Sequence, residues 1–91
     1  MSPARGAGGR LLRKTAVELV EDELRARITS GLLLPGTALR QEALSEELGV
    51  SRIPIREAIR LLSSEGLVDL IPHKGAYVSI VSQEEVQELF D

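Results

Sequence analysis

Three arginines at intervals of four residues, Arg52, Arg56 and Arg60, are the side chains here whose type and spacing could do chemistry. That spacing aligns them along one face of an α-helix. A guanidinium group presents a planar fork of N–H donors that fits a phosphate, or the O6 and N7 atoms of guanine. The spacing is therefore compatible with contact to nucleic acid, which the elements around this helix must support. The alternative is a solvated helix face, on which Arg60 pairs with Glu57 or Ser64.

The helix that must position these arginines spans about residues 51–65 and has a second, apolar face. Apolar residues recur at i, i+3, i+4 and i+7, the stripe of a helix packed on a core: Ile55, Ala58, Ile59 and Leu62. Ser51 is the expected N-cap, and Pro54 is compatible with the first turn, where a backbone N–H has no helical partner. We expect Gly66 to terminate the helix.

Two further helices are predicted before it. The first spans about residues 15–30 and begins with the capping box of Thr15 and Glu18. It buries Val17, Val20, Leu24 and Ile28, and we expect its charged residues Glu21, Asp22, Glu23, Arg25 and Arg27 to form a mixed solvated face. The second spans about residues 41–48, and residues 49–51 turn sharply into the arginine helix. Two short helices joined by a tight turn with glycine are typical of a helix-turn-helix.

A β-hairpin is predicted after the arginine helix. Residues 67–71 and 76–81 read as strands, and the glycine-containing loop 72–75 joins them. A hairpin after a helix-turn-helix is a wing, with His73, Lys74 and Gly75 at its tip. The fold class is therefore mainly α with a small β-hairpin, a winged helix-turn-helix over residues 15–81. His73, the only histidine, is a poor metal ligand without acids or cysteines near it, and is either a DNA contact or a polar loop residue.

The two ends of the chain differ in charge. Residues 1–14 contain only basic charges and predict a disordered basic arm, which is either a phosphate contact or a solvated tail. Residues 82–91 begin with a second capping box and carry Val86, Leu89 and Phe90 on a short helix. A helix that short is marginal alone. We expect either the linker and first turns of a further helical domain, or a helix that docks on the hairpin.

The composition limits the class of protein. Ninety-one residues suffice for one small domain, and with one Tyr, one Phe and no Trp its core consists of Leu, Ile, Val and Ala. The chain has no Cys, no apolar run of membrane-spanning length and no signal-peptide pattern, so the expected location is the cytoplasm. No catalytic motif, phosphate-binding glycine loop or metal-ligand spacing occurs, so we expect neither an enzyme nor a cofactor or metal site in this chain. The net charge of −3 counts against nucleic-acid binding, unless the acids lie away from the arginine helix.

Five short motifs stand at fixed spacing along residues 15–81. They are Leu34-Pro35-Gly36, Leu48-Gly49-Val50-Ser51-Arg52, Pro54-Ile55-Arg56-Glu57-Ala58-Ile59, Glu65-Gly66-Leu67-Val68 and Gly75-Ala76-Tyr77-Val78. In these motifs the chain resembles the winged-helix domain of GntR-family bacterial transcription regulators. Residues 82–91 resemble the start of the helical effector domain, often called FCD, of the FadR-type subfamily.

The resemblance implies a sequence-specific, metabolite-responsive transcription regulator that binds double-stranded operator DNA of two-fold symmetry. It implies a homodimer formed through a C-terminal domain beyond residue 91. That domain would bind a small-molecule effector, often a carboxylate, with or without a metal. The operator, the effector, the regulated genes, and the choice between repressor and activator stay open.

The resemblance also implies roles for individual residues. Arg52 and Arg56 match arginines that read guanine and grip the backbone in the major groove. Ser51 matches a residue that caps the helix and reaches phosphate, and Lys74 and Gly75 match the wing tip at the minor groove.

The sequence departs from the family pattern before the tight turn. Many members have an acid where this chain has Gln41, and a base where it has Glu42. Arg40 is the candidate to replace the missing basic contact, and Gln41 is a candidate phosphate donor. Arg60 lies further along the helix and is a candidate for phosphate alone. The competing hypothesis is a winged helix that binds protein rather than DNA, and its binding should be insensitive to salt.

Overall fold

The computed structural model describes residues 14–80, which form three helices and three short strands. In chain order these are α1 (Ala16–Thr29), β1 (Ala38–Leu39), α2 (Gln41–Leu48), α3 (Arg52–Ser64), β2 (Val68–Ile71) and β3 (Gly75–Val78). The predicted three helices and hairpin are confirmed, and each helix end agrees with its prediction within one residue. The second strand of the wing ends at Val78, earlier than predicted. The interpretations of residues 1–13 and 81–91 lie outside the described residues.

Helix α1 begins with the predicted capping box. The backbone N–H of Thr15 donates to Glu18 Oε1 at 2.9 Å, and the N–H of Glu18 donates to Thr15 Oγ1 at 3.1 Å. Two N–H groups that would lack a helical partner are thereby satisfied. Val20 and Leu24 are buried, and Val17 and Ile28 pack beside them. The predicted apolar stripe of this helix is therefore confirmed.

Helix α3 supplies the centre of the core. Ile55, Ala58, Ile59 and Leu62 are all buried, as the apolar spacing predicts. They pack with buried residues from every other element: Val20, Leu24, Leu39, Leu44, Val68, Ala76 and Val78. No polar or charged residue among residues 14–80 is buried with them. Because one face of α3 is fixed in this core, its opposite face is held outward in a defined orientation.

The tight turn between α2 and α3 is built around Gly49 and Ser45. Gly49 has the left-handed values φ 69° and ψ 31°, which a residue without Cβ adopts at little cost. Its N–H donates to the Ser45 carbonyl at 3.0 Å, and that of Val50 donates to the same oxygen at 3.2 Å. The Ser45 hydroxyl donates in turn to the Val50 carbonyl. These bonds fix the angle at which α3 leaves α2.

Ser51 is the N-cap of α3 as predicted, but the capping hydrogen bond expected from its side chain is absent. Ser51 occupies the N-cap position with extended backbone, yet its side chain makes no capping hydrogen bond. An N-cap side chain accepts from the N–H of the second or third helical residue. The third residue is Pro54, which has no N–H. Pro54 therefore removes one of the donors that the Ser51 hydroxyl would need.

The prediction of a solvated charged face on α1 was wrong for its two arginines, because both connect α1 to other helices. Arg25 Nη2 lies 2.6 Å from Glu65 Oε2 at the end of α3. Arg27 Nη2 lies 2.6 Å from Glu47 Oε2 of α2, and the Arg27 side chain is only 17% exposed. These arginines are therefore braces between helices rather than members of a solvated face.

The three strands form one antiparallel sheet in the order β1-β3-β2. Strand β3 pairs with β2 from Val68↔Val78 to Ile71↔Gly75, and with β1 through Ala38↔Tyr77 and Leu39↔Ala76. The hairpin of β2 and β3 is the predicted wing, whereas β1 was not predicted. Strand β1 leads directly into α2, so the sheet ties the wing to the first helix of the helix-turn-helix. No helix within residues 14–80 is long and apolar enough to cross a membrane.

Candidate nucleic-acid interface

The start of α2, the exposed side of α3 and the wing enclose one open groove of about 880 Å³. Seven of the nine residues predicted to contact DNA line it: Arg40, Gln41, Arg56, Arg60, His73, Lys74 and Gly75. Ser51 and Arg52 lie outside the lining, at the N-terminal end of α3. The fold thus brings together side chains that are more than thirty residues apart in the sequence.

The described cations that lack a carboxylate partner lie in this groove. Lys14, Arg25, Arg27, Arg52 and Arg60 each form an ion pair with a carboxylate. Within residues 14–80, Arg40, Arg56 and Lys74 are the cations that have no carboxylate at ion-pair distance, and all three line the groove. The positive charge of the described region that no carboxylate neutralises is therefore concentrated where a polyanion could reach it.

Arg52 forms an ion pair with Glu42. Its Nη2 lies 2.7 Å from Glu42 Oε1, and the two side chains are 61% and 77% exposed. The pair links the start of α3 to the start of α2 across the tight turn. An exposed pair of this kind contributes roughly 0–1 kcal/mol, so a phosphate or a guanine edge could displace the carboxylate. Glu42 therefore sets the resting position of Arg52.

Arg60 pairs with Glu57 on the same helix, as the solvated-face interpretation expects. Arg60 Nε donates to Glu57 Oε1 at 3.2 Å, and Nη2 contacts the other carboxylate oxygen. The hydrogen bond and charge of Arg60 hold the pKa of Glu57 below its ordinary value. Arg60 thus stands in the groove with its charge largely compensated, in contrast to Arg56 one turn earlier.

The wing tip is a tight turn with one unusual backbone conformation. The N–H of Lys74 donates to the Ile71 carbonyl at 3.0 Å, which closes a four-residue turn. Pro72 is second in that turn, and His73 is third with a φ of 63°. Proline followed by a positive φ is the pattern of a type II turn, whose third position favours glycine. His73, Lys74 and Gly75 are all exposed.

Tyr77 supports this turn from strand β3. Its hydroxyl donates to the Lys74 carbonyl at 3.3 Å, and the residue is half-buried. This agrees with its interpretation as a packed strand residue rather than a platform for base stacking. Residues 14–80 contain no cluster of His, Asp or Glu side chains that could hold a metal ion.

Comparison with known proteins decides the family. The family model described as bacterial regulatory proteins, gntR family, matches residues 16–78, which is more than half of the chain. The chain belongs to the GntR family. The match covers all six helices and strands of the described region.

Relatives and solved structures agree with this GntR-family assignment. The gluconate operon transcriptional repressor of Bacillus licheniformis is 45% identical over 69 residues, which cover 76% of this chain and 28% of the repressor. A crystal structure of a GntR-family transcriptional regulator from Pseudomonas syringae pv. tomato is 41% identical, with a TM-score of 0.69 over 82% of this chain and 32% of that one. The chain thus spans about a third or less of these two relatives.

A DNA complex is also among the similar structures. The AraR DNA-binding domain in complex with operator ORE1 is 31% identical to this GntR-family chain, with a TM-score of 0.68. The match covers 74% of this chain and 83% of the AraR chain. The winged-helix fold class that the sequence predicts is confirmed by these structures.

One exposed apolar residue at the start of α3 was not among the predicted contacts. Ile53, in the first turn of α3, is 79% exposed, more than any other large hydrophobic residue in the described region. It falls outside the i, i+3, i+4, i+7 stripe that explains the other apolar residues of this helix. An apolar residue off the buried stripe and between two arginines is the sequence signal that could have identified it.

Proposed function

We propose that this domain binds operator DNA sequence-specifically, with α3 in the major groove and the wing at the minor groove or the backbone. The observation that carries the proposal is the placement of Arg40, Arg56 and Lys74, cations without a carboxylate partner within residues 14–80, along one groove. The similarity to the AraR DNA-binding domain in complex with operator ORE1 supports it. A protein that reads DNA needs uncompensated positive charge on the surface that meets phosphate.

Arg52 and Arg56 are the proposed base-reading residues. The side chain of Arg56 is exposed and has no carboxylate partner within residues 14–80, so it can turn its guanidinium fork to guanine O6 and N7. Arg52 first exchanges its contact with Glu42 for a contact with DNA. A guanine edge or a phosphate replaces the carboxylate at similar hydrogen-bond geometry. Arg56 therefore carries the larger share of base discrimination in this proposal.

The other predicted residues act on the backbone in this proposal. Arg40 and Gln41 lie at the start of α2, where the helix dipole and free N–H groups favour a phosphate. The Ser51 hydroxyl has no capping bond and can donate to phosphate. Lys74 and His73 extend from the wing tip, and Gly75 permits close approach of its backbone. Such contacts fix register and orientation without selecting a sequence.

The role of the whole protein is part of the same proposal. The chain spans 28% of the gluconate operon repressor of B. licheniformis. We propose that the domain is the N-terminal part of a cytoplasmic regulator of the FadR type, with a helical domain that dimerises and binds a metabolite. Two copies would then bind a two-fold symmetric operator. The name of the gluconate operon repressor supports repression as the mode of regulation.

Selection of DNA sites from a random pool, followed by affinity measurements on the selected site, tests the proposal. Arg56→Ala should weaken binding by roughly 1–3 kcal/mol and relax the preference at one base pair. Lys74→Ala should weaken binding evenly across sequences and lower the salt slope by about one. Lys14→Ala is the matched control for base preference, because it removes an equal charge from an exposed residue that is paired with Asp22 and lies outside the groove. Equal affinity and preference in Arg56→Ala and in the control would refute the assignment.

A further inference from the structure

Ile53 lies on the side of α3 that faces away from the core. With 3.6 residues per turn, the buried positions 55, 58, 59 and 62 define one side of the helix, and position 53 falls opposite them. The side chain is accordingly 79% exposed. Arg56 and Glu57 follow three and four residues later, which makes both of them neighbours of Ile53 on the helix surface. An apolar side chain therefore projects from the same surface as the guanidinium of Arg56.

The chemistry of this side chain differs from that of its neighbours. Isolated exposed apolar residues are common on protein surfaces and need no explanation alone. Ile53, however, stands in the first turn of α3, between two arginines that the proposed function places at base edges. The aliphatic side chain of Ile53 cannot donate or accept a hydrogen bond. Its β-branched side chain also has a single strongly preferred χ1 rotamer in a helix, so its apolar surface is presented in a fixed direction.

We infer that Ile53 reads the C5-methyl group of a thymine in the major groove and so determines specificity. This inference rests on the proposed function. The thymine methyl is the apolar feature of the major-groove edge, whereas the other base edges there present hydrogen-bond donors and acceptors. An isoleucine buries surface against the methyl. Against the N4 amino group of cytosine it displaces water without replacing the hydrogen bond, and this disfavours a C·G pair.

The geometry also gives the position of the thymine. Residues three apart on a helix have Cβ atoms about 5–6 Å from each other. Successive bases along a strand rise by about 3.4 Å. The methyl that Ile53 contacts therefore lies within about two base pairs of the base that Arg56 reads.

Replacing single thymines by uracil in the selected site tests this inference, because that change removes only the methyl group. For the unmodified protein, one thymine within two base pairs of an Arg56-dependent guanine should show a three- to fivefold loss of affinity, the factor for about one buried methyl. Ile53→Ala should bind the thymine site more weakly by at least that factor and should be indifferent to uracil there. Thermal unfolding of Ile53→Ala should match that of the unmodified chain, since the side chain is exposed.

Leu32→Ala is the matched control. Leu32 is 73% exposed, and it lies between α1 and β1 rather than on α3. This variant should keep the full sensitivity to uracil. An equal effect of uracil on the unmodified protein and on Ile53→Ala, or a selected site with no thymine near the Arg56-dependent guanine, overturns the inference while DNA binding stands. Failure to select any site overturns the proposed function and this inference together.

Discussion

The two arginines at the start of α3 have different surroundings although they are one turn apart. Within residues 14–80 Arg56 has no carboxylate partner, whereas Arg52 pairs with Glu42. The carboxylate of Glu42 also brings negative charge to a surface proposed to meet phosphate. Glu42 should therefore lower affinity for DNA in general, because a phosphate or a guanine edge must first displace its carboxylate from Arg52.

Glu42→Gln tests this view of the pair. The substitution removes the negative charge and keeps the size of the side chain. Affinity for DNA of random sequence should rise about two- to fivefold at low salt, which corresponds to the strength of an exposed charge interaction. Preference for the selected site over random DNA should fall. Fluorescence anisotropy with both duplexes measures the two affinities.

Asp69→Asn is the control for this substitution. Asp69 is exposed on β2 outside the groove lining, and removing its charge should change the specificity ratio less. A Glu42→Gln variant with unchanged affinity for random DNA would show that the pair has no influence on binding.

At the residue scale, the sequence predicted what depends on local spacing. The buried stripe of α3 and the line of arginines follow from helical periodicity alone. The contact between Glu42 and Arg52 joins residues ten positions apart and depends on the angle of the turn between two helices. The missing cap of Ser51 was predictable, since Pro54 at the third helical position removes a donor that the cap uses.

At the element scale, the start of α1 is fixed by the reciprocal bonds of Thr15 and Glu18. Hydrogen bonds from the backbone N–H of Thr15, and then from its hydroxyl, hold the pKa of the Glu18 carboxyl below its ordinary value. A carboxyl whose pKa is lower in the folded state stabilises the fold above its unfolded pKa. The stabilisation is lost as the pH falls through the folded value.

Glu18→Gln should therefore alter how the stability of the fold depends on pH. At pH 7 the variant should have a lower Tm than the unmodified chain, and the difference should disappear as the pH falls through the lowered pKa of the folded-state carboxyl. Thr15→Ala removes the hydroxyl of the same capping box and should cost about 1 kcal/mol. Thermal unfolding by circular dichroism at several pH values measures these effects. A difference between Glu18→Gln and the unmodified chain that is constant with pH would contradict the capping role of the carboxylate.

The wing tip retains a backbone conformation that histidine rarely adopts. The φ of 63° at His73 belongs to the left-handed region, which costs a residue with Cβ about 1–2 kcal/mol. Glycine would adopt it without that cost. Retention of strain at the tip of a proposed DNA-binding wing supports a role for the side chain.

His73→Gly should separate stability from binding. The release of strain, offset by the greater freedom of glycine in the unfolded chain, should raise the free energy of unfolding by about 0–1 kcal/mol. Affinity for the selected DNA site should fall, because the imidazole is lost. His73→Ala is the control: it keeps the strain, so its stability should not rise, and its loss of affinity should equal that of His73→Gly. Full affinity in both variants would make His73 a loop residue alone.

Strand β1 shows why one element of the fold was not predictable from the sequence. It has two residues, Ala38 and Leu39, and no alternation can be recognised over so short a segment. It is a strand only because Tyr77 and Ala76 of β3 pair with it after the chain has returned. By contrast, the wing strands were predictable because they are adjacent in sequence and joined by a short turn.

At the scale of the whole molecule, charge is distributed unevenly although the net charge is −3. Three of the four acids of α1, Glu21, Asp22 and Glu23, form ion pairs with Lys14, Arg25 or Arg27. The cations without such partners within residues 14–80 line the groove. A negative total is therefore compatible with a locally positive surface, because interactions beyond about 10 Å are screened at ordinary salt concentrations.

A salt titration of DNA binding tests this distribution. If the protein neutralises three to five phosphates through the groove and the ends of α2 and α3, the plot of log K against log salt should be linear with a slope of roughly −3 to −4.5. Binding measured between low and physiological salt gives the slope directly. A slope near zero would instead favour the competing hypothesis of a module that docks on protein through apolar contacts.

Strand β3 has a mechanical consequence because it is the central strand of the sheet. Its Val78 bonds both ways to the segment before β1, accepting from the Gly36 N–H and donating to the Thr37 carbonyl, each at 2.8 Å. Ladder bonds run perpendicular to the strands. A pull along β3 therefore loads the bonds to β1 and β2 together, in shear, instead of opening them one by one. Tension applied to this strand would move the wing and the N-terminal end of α2 together, as a rigid body.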